Sequence, residues 1–443
     1  MSELRSSAHT ARRSQILSWA AWDFGSTGVN AVVVTFVFSP VYLADRVGGD
    51  LPGDTSPTSW LGWAMGAAGL VVALLAPVTG VWVDAPWRRR NTLAALSGLS
   101  VCLTLAMSLV RDDYRYFAFG LFLVAAVAAC NDLATVPYSA MLRQLSTPQT
   151  SGQVSGLGIG AGYFGSVVLL LVVFALFLNG DGGLLGVSTD DGFDFRAAMV
   201  FSAVWFALLA LPVLVAVPSP KPELLQKSAY PGFFGGYRKL WAEIRGEWQR
   251  DPNVIKYLIA SAVFRDGLTG VFQFGTVLGI MVYGLAEDDV MVFGVSASVI
   301  AAIGAVIGGL LDDRFGAKPV IIGALTAMIA VGLTLLTLSG VLAFWICGLL
   351  LCLFIGPSLS AARTLMLRIS TEGKEGIAFG LYTTTGRAVS FLAPVMFSTF
   401  IAIFGADRAG IGGLLVVLLA GLLGMLAVKA PHQRAVSEEP IPS

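Results

Sequence analysis

Apolar runs long enough to cross a bilayer recur along this chain, each separated from the next by short polar punctuation. A hydrocarbon core about 30 Å thick needs roughly 20 apolar residues per helix, so such runs read as membrane spans. Only helices or closed barrels satisfy every backbone hydrogen bond in lipid, and these runs are too long for the alternating strands of a barrel. Composition agrees: 56 % of the 443 residues are hydrophobic and 13 % charged, against about 25 % charged in soluble domains. The expectation is an all-α integral membrane protein with about twelve transmembrane helices. They fall near 16–43, 59–83, 91–110, 116–141, 153–178, 196–217, 254–284, 291–311, 319–338, 341–368, 375–404 and 409–430.

The polar start of the chain carries Arg5, Arg12 and Arg13, and the apolar stretch after it has no small-residue cleavage site, so it reads as a retained first helix. Cys102, Cys130, Cys347 and Cys352 all fall inside proposed spans and read as small core residues rather than a disulfide framework. Cytoplasmic loops carry the excess of Lys and Arg. With the N-terminus inside, 21 of the 28 basic residues fall on the inner side, counting Arg363 and Lys256 there. Arg46, Arg111, Arg115, Arg196 and Arg408 fall outside, while Arg265 and Arg387 are intramembrane. The expected placement is the plasma membrane, multi-pass, with both termini cytoplasmic.

Residues 218–252 form the longest inner loop, with an amphipathic stretch "GGYRKLWAEIRGEW" that reads as a surface-lying linker helix. It divides the chain into an N-terminal six-helix bundle (1–217) and a C-terminal one (253–430), followed by a cytosolic tail (431–443). The halves resemble one another. "LSTPQTSGQVSGL" (145–157) aligns without a gap on "ISTEGKEGIAFGL" (369–381), matching Gly152 with Gly376 and Gly156 with Gly380. "GVWVDAPWRRR" (80–90) answers "GLLDDRFGAKP" (309–319), and "WDFGSTGV" (22–29) answers "RDGLTGVF" (265–272). Parallel repeats about an axis normal to the membrane imply a site between two pseudo-symmetric bundles near the midplane.

In each half, Gly and Asp stand four apart at the inner end of the second helix. Gly80 and Gly309 allow close helix approach, and Asp84 and Asp313 suit the positive N-terminal end of a helix in the opposite bundle. With Arg88, Arg89 and Arg314 they read as a cytosolic gate; the bland alternative is that the arginines only set orientation. The glycines from Gly156 to Gly165 give overlapping Gly-x-x-x-Gly spacings that serve tight packing, moving or fixed.

Ionisable groups inside spans are rare because each costs a few kcal/mol at the helix centre. At about 1.5 Å per residue, Asp266 lies roughly 18 Å along its helix, and Asp132, beside Asn131, and Arg387 fall at similar depth. Asp23 lies nearer the cytosol, and Asn30, Tyr138 and Gln273 supply polar company. These residues form the expected solute and proton pathway. Arg265 and Asp266 point about 100° apart, so each must find its partner elsewhere. One economical arrangement is a fixed pair of Asp266 with Arg387. Against it, three carboxylates and two guanidiniums do not cancel, and a surplus carboxylate in low dielectric tends to carry a proton. His9 and His432 lie in the tails, so proton coupling is expected to run through Asp23, Asp132 or Asp266.

The chain has no Gly-x-x-x-x-Gly-Lys-Ser/Thr loop and no His-Glu-x-x-His pattern, and no soluble segment long enough for a nucleotide-binding domain. Primary pumping is therefore not expected, nor a cofactor, a metal site, a nucleic-acid partner or an enzyme's nucleophile–base pair. The expected partners are a small-molecule solute, a proton or other cation gradient and the lipid bilayer, with the chain working as a monomer.

These residues resemble the major facilitator superfamily over nearly the whole chain, the Gly80/Asp84 and Gly309/Asp313 elements matching its loop motif. "SWAAWDFGSTGVNAVVVTFVFSPVY" (18–42), "FRDGLTGVFQFG" (264–275) and "RISTEGKEGIAFGLYTTTGRAVSFLAP" (368–394) look more narrowly like the first, seventh and eleventh helices of its vacuole-effluxer-like permeases. The resemblance implies a secondary transporter working by alternating access, proton-coupled, with efflux of amino acids or related solutes known for fungal relatives. Arg265 stands where that branch usually has Asn, and Ser26 where it has Asn in the first helix, which opens the solute question. The added cation either favours an anionic solute or serves as counter-ion to Asp23 or Asp132. "DFGS" (23–26) and "VPYSAM" (136–141) also look like the glycoside-cation symporter branch, whose Asp-Pro is Ala76-Pro77 here. That symporter is the alternative, with a non-transporting receptor or assembly partner on the same fold. A channel is disfavoured by the asymmetric scatter of charge.

Overall fold

The structure is a computed structural model, and it describes residues 11–180, 182–218, 235, 237–238, 245 and 252–429. Most of the 218–252 segment and the 431–443 tail lie outside the described residues, as do Arg5, His9 and His432.

The spans are helical throughout. The N-terminal half comprises α1 (Arg13–Asn30), α2 (Pro57–Val83), α3 (Pro86–Ala106), α4 (Phe117–Ala140), α5 (Ser151–Val173) and α6 (Phe193–Ala216). The C-terminal half comprises α7 (Asn253–Tyr283), α8 (Glu287–Phe315), α9 (Ala317–Thr337), α10 (Val341–Ile369), α11 (Glu375–Val389), α12 (Leu392–Phe404) and α13 (Ala409–Ala427). Helices α11 and α12 together make one span, so each half supplies six. Among the described residues, eleven of the twelve spans are long and apolar enough to cross a bilayer by length and composition alone. The other is α7, 31 residues long, which carries Lys256, Arg265 and Asp266.

Two spans depart from straight α-helix, each for a local reason. The first continues from α1 as π-helical turns over Ala31–Phe36 and Phe38–Val47, interrupted at Val37. Wider turns of this kind concentrate where a helix lines a functional cavity. The eleventh breaks at Ser390–Phe391, four residues before Pro394. Proline has no N–H, and its ring crowds the carbonyl four residues back, so it weakens a helix; this span breaks there, whereas α2, α4, α6 and α10 run on through Pro77, Pro137, Pro212 and Pro357.

Within the N-terminal bundle α1 packs on α5 and α6, α2 on α4, and α3 on α4 and α6; within the C-terminal one α8 and α9 pack on α10, and α13 on α7, α9 and α12. The bundles meet along α2 with α11 and along α5 with α8, joined by α4 with α11 and α5 with α10. These meetings lie toward the end of the molecule that holds Arg88–Arg90, Arg143 and Arg368, the arginine-rich end. At the opposite end, Arg46 reaches Asp112 at 2.9 Å and Asp194 at 3.8 Å, and Arg196 reaches Asp191 at 3.4 Å, tying the outer loops of the N-terminal bundle together.

Candidate functional site

The closure at the arginine-rich end is built twice, from glycine and aspartate at i and i+4. A Cβ on Gly80 would meet the Gly376 carbonyl oxygen at 2.4 Å, and one on Gly309 would meet that of Gly152 at 2.4 Å. So α2 crosses α11, and α8 crosses α5, at backbone contact. One turn on, Asp84 accepts from the Ile377 amide at 3.0 Å, near the N-terminus of α11. Asp313 accepts from the Gly152 and Gln153 amides at 2.7 and 2.8 Å, at the N-terminus of α5. Both carboxylates satisfy amides that a helix leaves without intrahelical partners, and sit at its positive end.

The basic residues of this cluster are only partly those singled out from the sequence. Arg89 is buried, donating to Glu375 at 2.8 Å and to the Val83 and Ala140 carbonyls at 3.0 Å each. Arg143 reaches the other oxygen of Glu375 at 2.5 Å. Asp313 is met by Arg368 at 3.5 Å rather than by Arg314, and Arg368 also holds Asp312 at 2.5 Å and Ser151 at 3.0 Å. Arg314 is exposed and lies over the Phe315 ring, outside the cluster, and the Arg88 guanidinium lies 3.9 Å from the Trp82 ring centroid. Glu375, Arg143, Arg368 and Asp312 were missed because their partners lie on other helices.

Above this closure lies a central cavity of about 870 Å³. It runs from Asp23 past Thr27, Asn30 and Thr35 on the first span and Thr269, Gln273 and Thr276 on α7, to Val290 and Gly294 near the start of α8. Its floor carries a cluster that joins the bundles. Asp23 lies 3.6 Å from Arg363 of α10, and accepts from Thr27 at 3.2 Å and from the Tyr138 hydroxyl at 3.3 Å. Tyr138 is stacked on Trp19 with ring centroids 4.3 Å apart, and the Trp19 indole donates to the Tyr138 carbonyl at 3.0 Å. The Arg363 guanidinium lies 5.7 Å from the Trp19 ring and 5.3 Å from the Tyr138 ring.

Arg363 therefore belongs to the interior, not to the inner loop where the sequence reading counted it. It stands six residues before the end of α10, where hydropathy alone cannot tell a buried arginine from a loop one. With it, the interior holds three carboxylates and three guanidiniums, so the expected surplus carboxylate disappears. Nor does Asp266 pair with Arg387: Arg387 forms an ion pair with Asp132 of α4. Arg265 is no counter-ion for Asp23 or Asp132. It donates to the carbonyls of Tyr382 at 2.6 Å and Ser261 at 3.2 Å, with its guanidinium 3.4 Å from the Tyr382 ring centroid.

Of the nine expected pathway residues Asp23, Asn30 and Gln273 line the cavity; Tyr138, Asp132, Arg265 and Arg387 make the contacts just given, and Asn131 and Asp266 face elsewhere. Asn131 is buried between α3 and α4, its side-chain oxygen accepting from Ser100 at 2.9 Å. Asp266 is buried against α12 and accepts from the Ala393 amide at 2.6 Å. That amide is one of those the break before Pro394 leaves without a helical partner, so Asp266 caps the second half of a broken span. Asp266→Ala is expected to lower stability by about 1–3 kcal/mol, since a buried donor is orphaned. Asp266→Asn, whose amide oxygen accepts the same bond, is expected to cost less. Thermal unfolding of the purified variants checks this; equal melting temperatures for D266A and wild type would remove the capping role.

The family model described as Major Facilitator Superfamily matches residues 24–394 and 283–443. An uncharacterized MFS-type transporter of Bacillus subtilis (strain 168) is 19 % identical over 427 residues, 95 % of this chain and 96 % of that protein. Autophagy-related protein 22 of Cryptococcus neoformans var. neoformans serotype D (strain B-3501A) is 26 % identical over 318 residues, 65 % of this chain. That match spans only 55 % of the relative's length. A solved proton:xylose symporter bound to 6-bromo-6-deoxy-D-glucose superposes with a TM-score of 0.69 at 15 % identity, covering 93 % of this chain and 94 % of that one. The E. coli fucose:proton symporter gives 0.67 at 14 %, covering 94 % and 98 %. At such identities the solved structures speak for the fold, twelve spans in two six-helix bundles. The family match spans most of the chain, and with the double Gly/Asp closure beneath a central cavity it identifies this protein as a member of the Major Facilitator Superfamily, secondary transporters that carry small solutes by alternating access.

Proposed function

We propose that this protein is a proton-coupled symporter for a small polar solute, with Asp23 as the coupling carboxylate. One observation carries the reading: Asp23 lines the central cavity from the N-terminal bundle while paired with Arg363 of the C-terminal bundle. Alternating access moves one bundle against the other, so a pair that crosses between them must part in the opposite state. A buried ion pair broken without replacement leaves uncompensated charge, which costs about 3–5 kcal/mol. A proton on Asp23 removes half of that cost, so the transition draws on the proton supply. Asp132 with Arg387 forms a second pair that crosses between the bundles, at a more exposed place outside the cavity lining.

The fold relatives described as proton:xylose and fucose:proton symporters support the symporter reading better than amino-acid efflux. Assignment to the vacuole-effluxer-like branch is supported by the first-, seventh- and eleventh-helix segments and by the Autophagy-related protein 22 matches, which cover about half of those proteins. The excess of Arg and Lys at the end with Arg88–Arg90 favours a cytoplasmic position for that end and for both termini, in the plasma membrane. The proposed division remains two bundles, 1–217 and 253–430, joined by 218–252. In that orientation the structure stands outward-facing.

The test is Asp23→Asn in proteoliposomes, with uptake of labelled sugars, sugar acids and amino acids. Accumulation driven by a pH gradient is expected to fall to the ionophore control, while solute counterflow persists. Gradient-driven accumulation surviving in D23N would exclude Asp23 as the coupling group.

A further inference from the structure

The three interior arginines all stand on the C-terminal bundle, and their surroundings differ. Arg387 has Asp132 in direct contact. Arg265 has two backbone carbonyls and the Tyr382 ring. Arg363 is held less fully: among the described residues its carboxylate contact is the 3.6 Å approach to Asp23, with the Tyr138 hydroxyl nearby, and its Nη1 is shut off from solvent without a hydrogen-bond partner. Its side chain is 12 % exposed. A guanidinium presents five N–H donors in a rigid fork, and a buried donor left unused is costly. The rings of Trp19 and Tyr138 beside it leave the fork oriented but under-filled.

The position is that of a ligand site. Asp23 lines the cavity floor, and so does Leu359, one helical turn before Arg363 on α10. The guanidinium therefore lies just beneath the floor, with Asp23 as its stopper. We propose that Arg363 is the docking group for a carboxylate carried by the transported solute, which takes the place of Asp23 on the guanidinium. This deepens the proton-coupled reading and rests on it for the second half of the exchange: the displaced Asp23 takes up the proton. The arriving carboxylate brings one negative charge and the proton one positive charge, so the low-dielectric floor keeps its formal balance. A neutral solute would leave Arg363 without a counter-charge whenever Asp23 is protonated, which such an interior penalises heavily.

The geometry of a carboxylate matches the fork, because two parallel N–H···O bonds fill it where the single approach from Asp23 does not. Asp23 is faced by the Tyr138 hydroxyl from α4, Tyr163 from α5 and Arg363 from α10, with Thr27 on its own helix. Helix α6 packs Phe206 and Leu209 against the same helix at Gly25. The titratable neighbours are thus two tyrosines and the arginine, leaving Asp23 as the one carboxylate of the group.

The test uses the full-length purified protein and matched probes: glucuronate against glucose, succinate against succinamide, and lactate against lactamide. A ligand that binds only the native state raises its apparent melting temperature. The expected result is stabilisation by at least one carboxylate and not by its neutral partner, stronger at pH 5.5 than at pH 8. Arg363→Gln is expected to weaken it by about ten-fold or more, and Arg363→Lys, which keeps the charge without the fork, by less. Asp23→Asn is expected to retain carboxylate binding but lose its pH dependence, and it decides the matter if R363Q does not fold. Equal carboxylate affinity in R363Q, stabilisation by neutral members only, or stabilisation by none of the six overturns the proposal. Glucose bound and accumulated under a proton gradient would leave the symporter standing without this site. Carboxylates bound through Arg363 with no flux would leave the site standing without the symporter.

Discussion

Replacing Glu375 by alanine is expected to release the arginine-rich end and drive the protein toward its opposite conformation. Glu375 opens α11, is 2 % exposed, and divides its two oxygens between Arg89 at 2.8 Å and Arg143 at 2.5 Å, both from the N-terminal bundle. Arg89 is itself 2 % exposed. Removing the carboxylate strands a buried guanidinium, which costs about 3–5 kcal/mol. That cost falls on the closed state alone, because separating the bundles lets water reach Arg89. From a 99:1 preference, equal populations take about 2.7 kcal/mol and full inversion about 5.5 kcal/mol, so a loss of about 3–5 kcal/mol carries the protein past balance toward the opposite state. Labelling of single cysteines placed along α11 and α2 at that end should rise accordingly, with cavity-facing positions near Gln273 becoming less accessible. Arg89→Met combined with Glu375→Met should restore closure, since an apolar pair of similar volume often replaces a buried ion pair without loss. Unchanged labelling in E375A would show that the glycine crossings hold the end shut alone.

What could be read in the sequence, and what could not, divides by the range of the signal. The spans are legible because apolar length is a local property, and the Gly80/Asp84 and Gly309/Asp313 pairs because four-residue spacing places both on one helix face. The internal repeat carries further: the gapless alignment pairs Ser151 with Glu375, and both stand first in their helices and receive an arginine from the opposite bundle. The charge sits in one half only, and no repeat pattern announces that. The partner of Asp266 could not be read because it is an amide 127 residues away, freed where α11 and α12 part. Arg363 was misread because an arginine six residues from a helix end looks like a loop residue until Asp23, on another helix, is seen beside it. For Asp266 the missing term was which way the side chain turns; for Arg363 it was depth as well.

The two glycine crossings lead to the larger effect on transport, and they separate closure from folding. Gly80→Val with Gly309→Val is expected to abolish transport while the protein still folds. At each position a Cβ would lie 2.4 Å from a carbonyl oxygen of the opposite bundle. Backbone within a packed helix cannot yield locally as a flexible side chain would, so the helices must separate. Overpacking costs about 1–3 kcal/mol per site. Two sites far apart add to about 2–6 kcal/mol, lowering the population of the closed state by about 30-fold to 10⁴-fold. Neither glycine packs within its own bundle at these contacts, so each six-helix core keeps its own packing and the melting temperature should move little. Gly66→Val is the control: it lies on the same helix as Gly80, and a Cβ there meets nothing within 4 Å. Transport near the wild-type rate in G80V/G309V would mean that the end need not shut at these crossings for the cycle to turn. Loss of transport in G66V as well would point to a general effect of valine in α2. The expected split, normal G66V and inactive G80V/G309V with raised labelling at the arginine-rich end, would place the required motion at the line where α2 meets α11 and α8 meets α5.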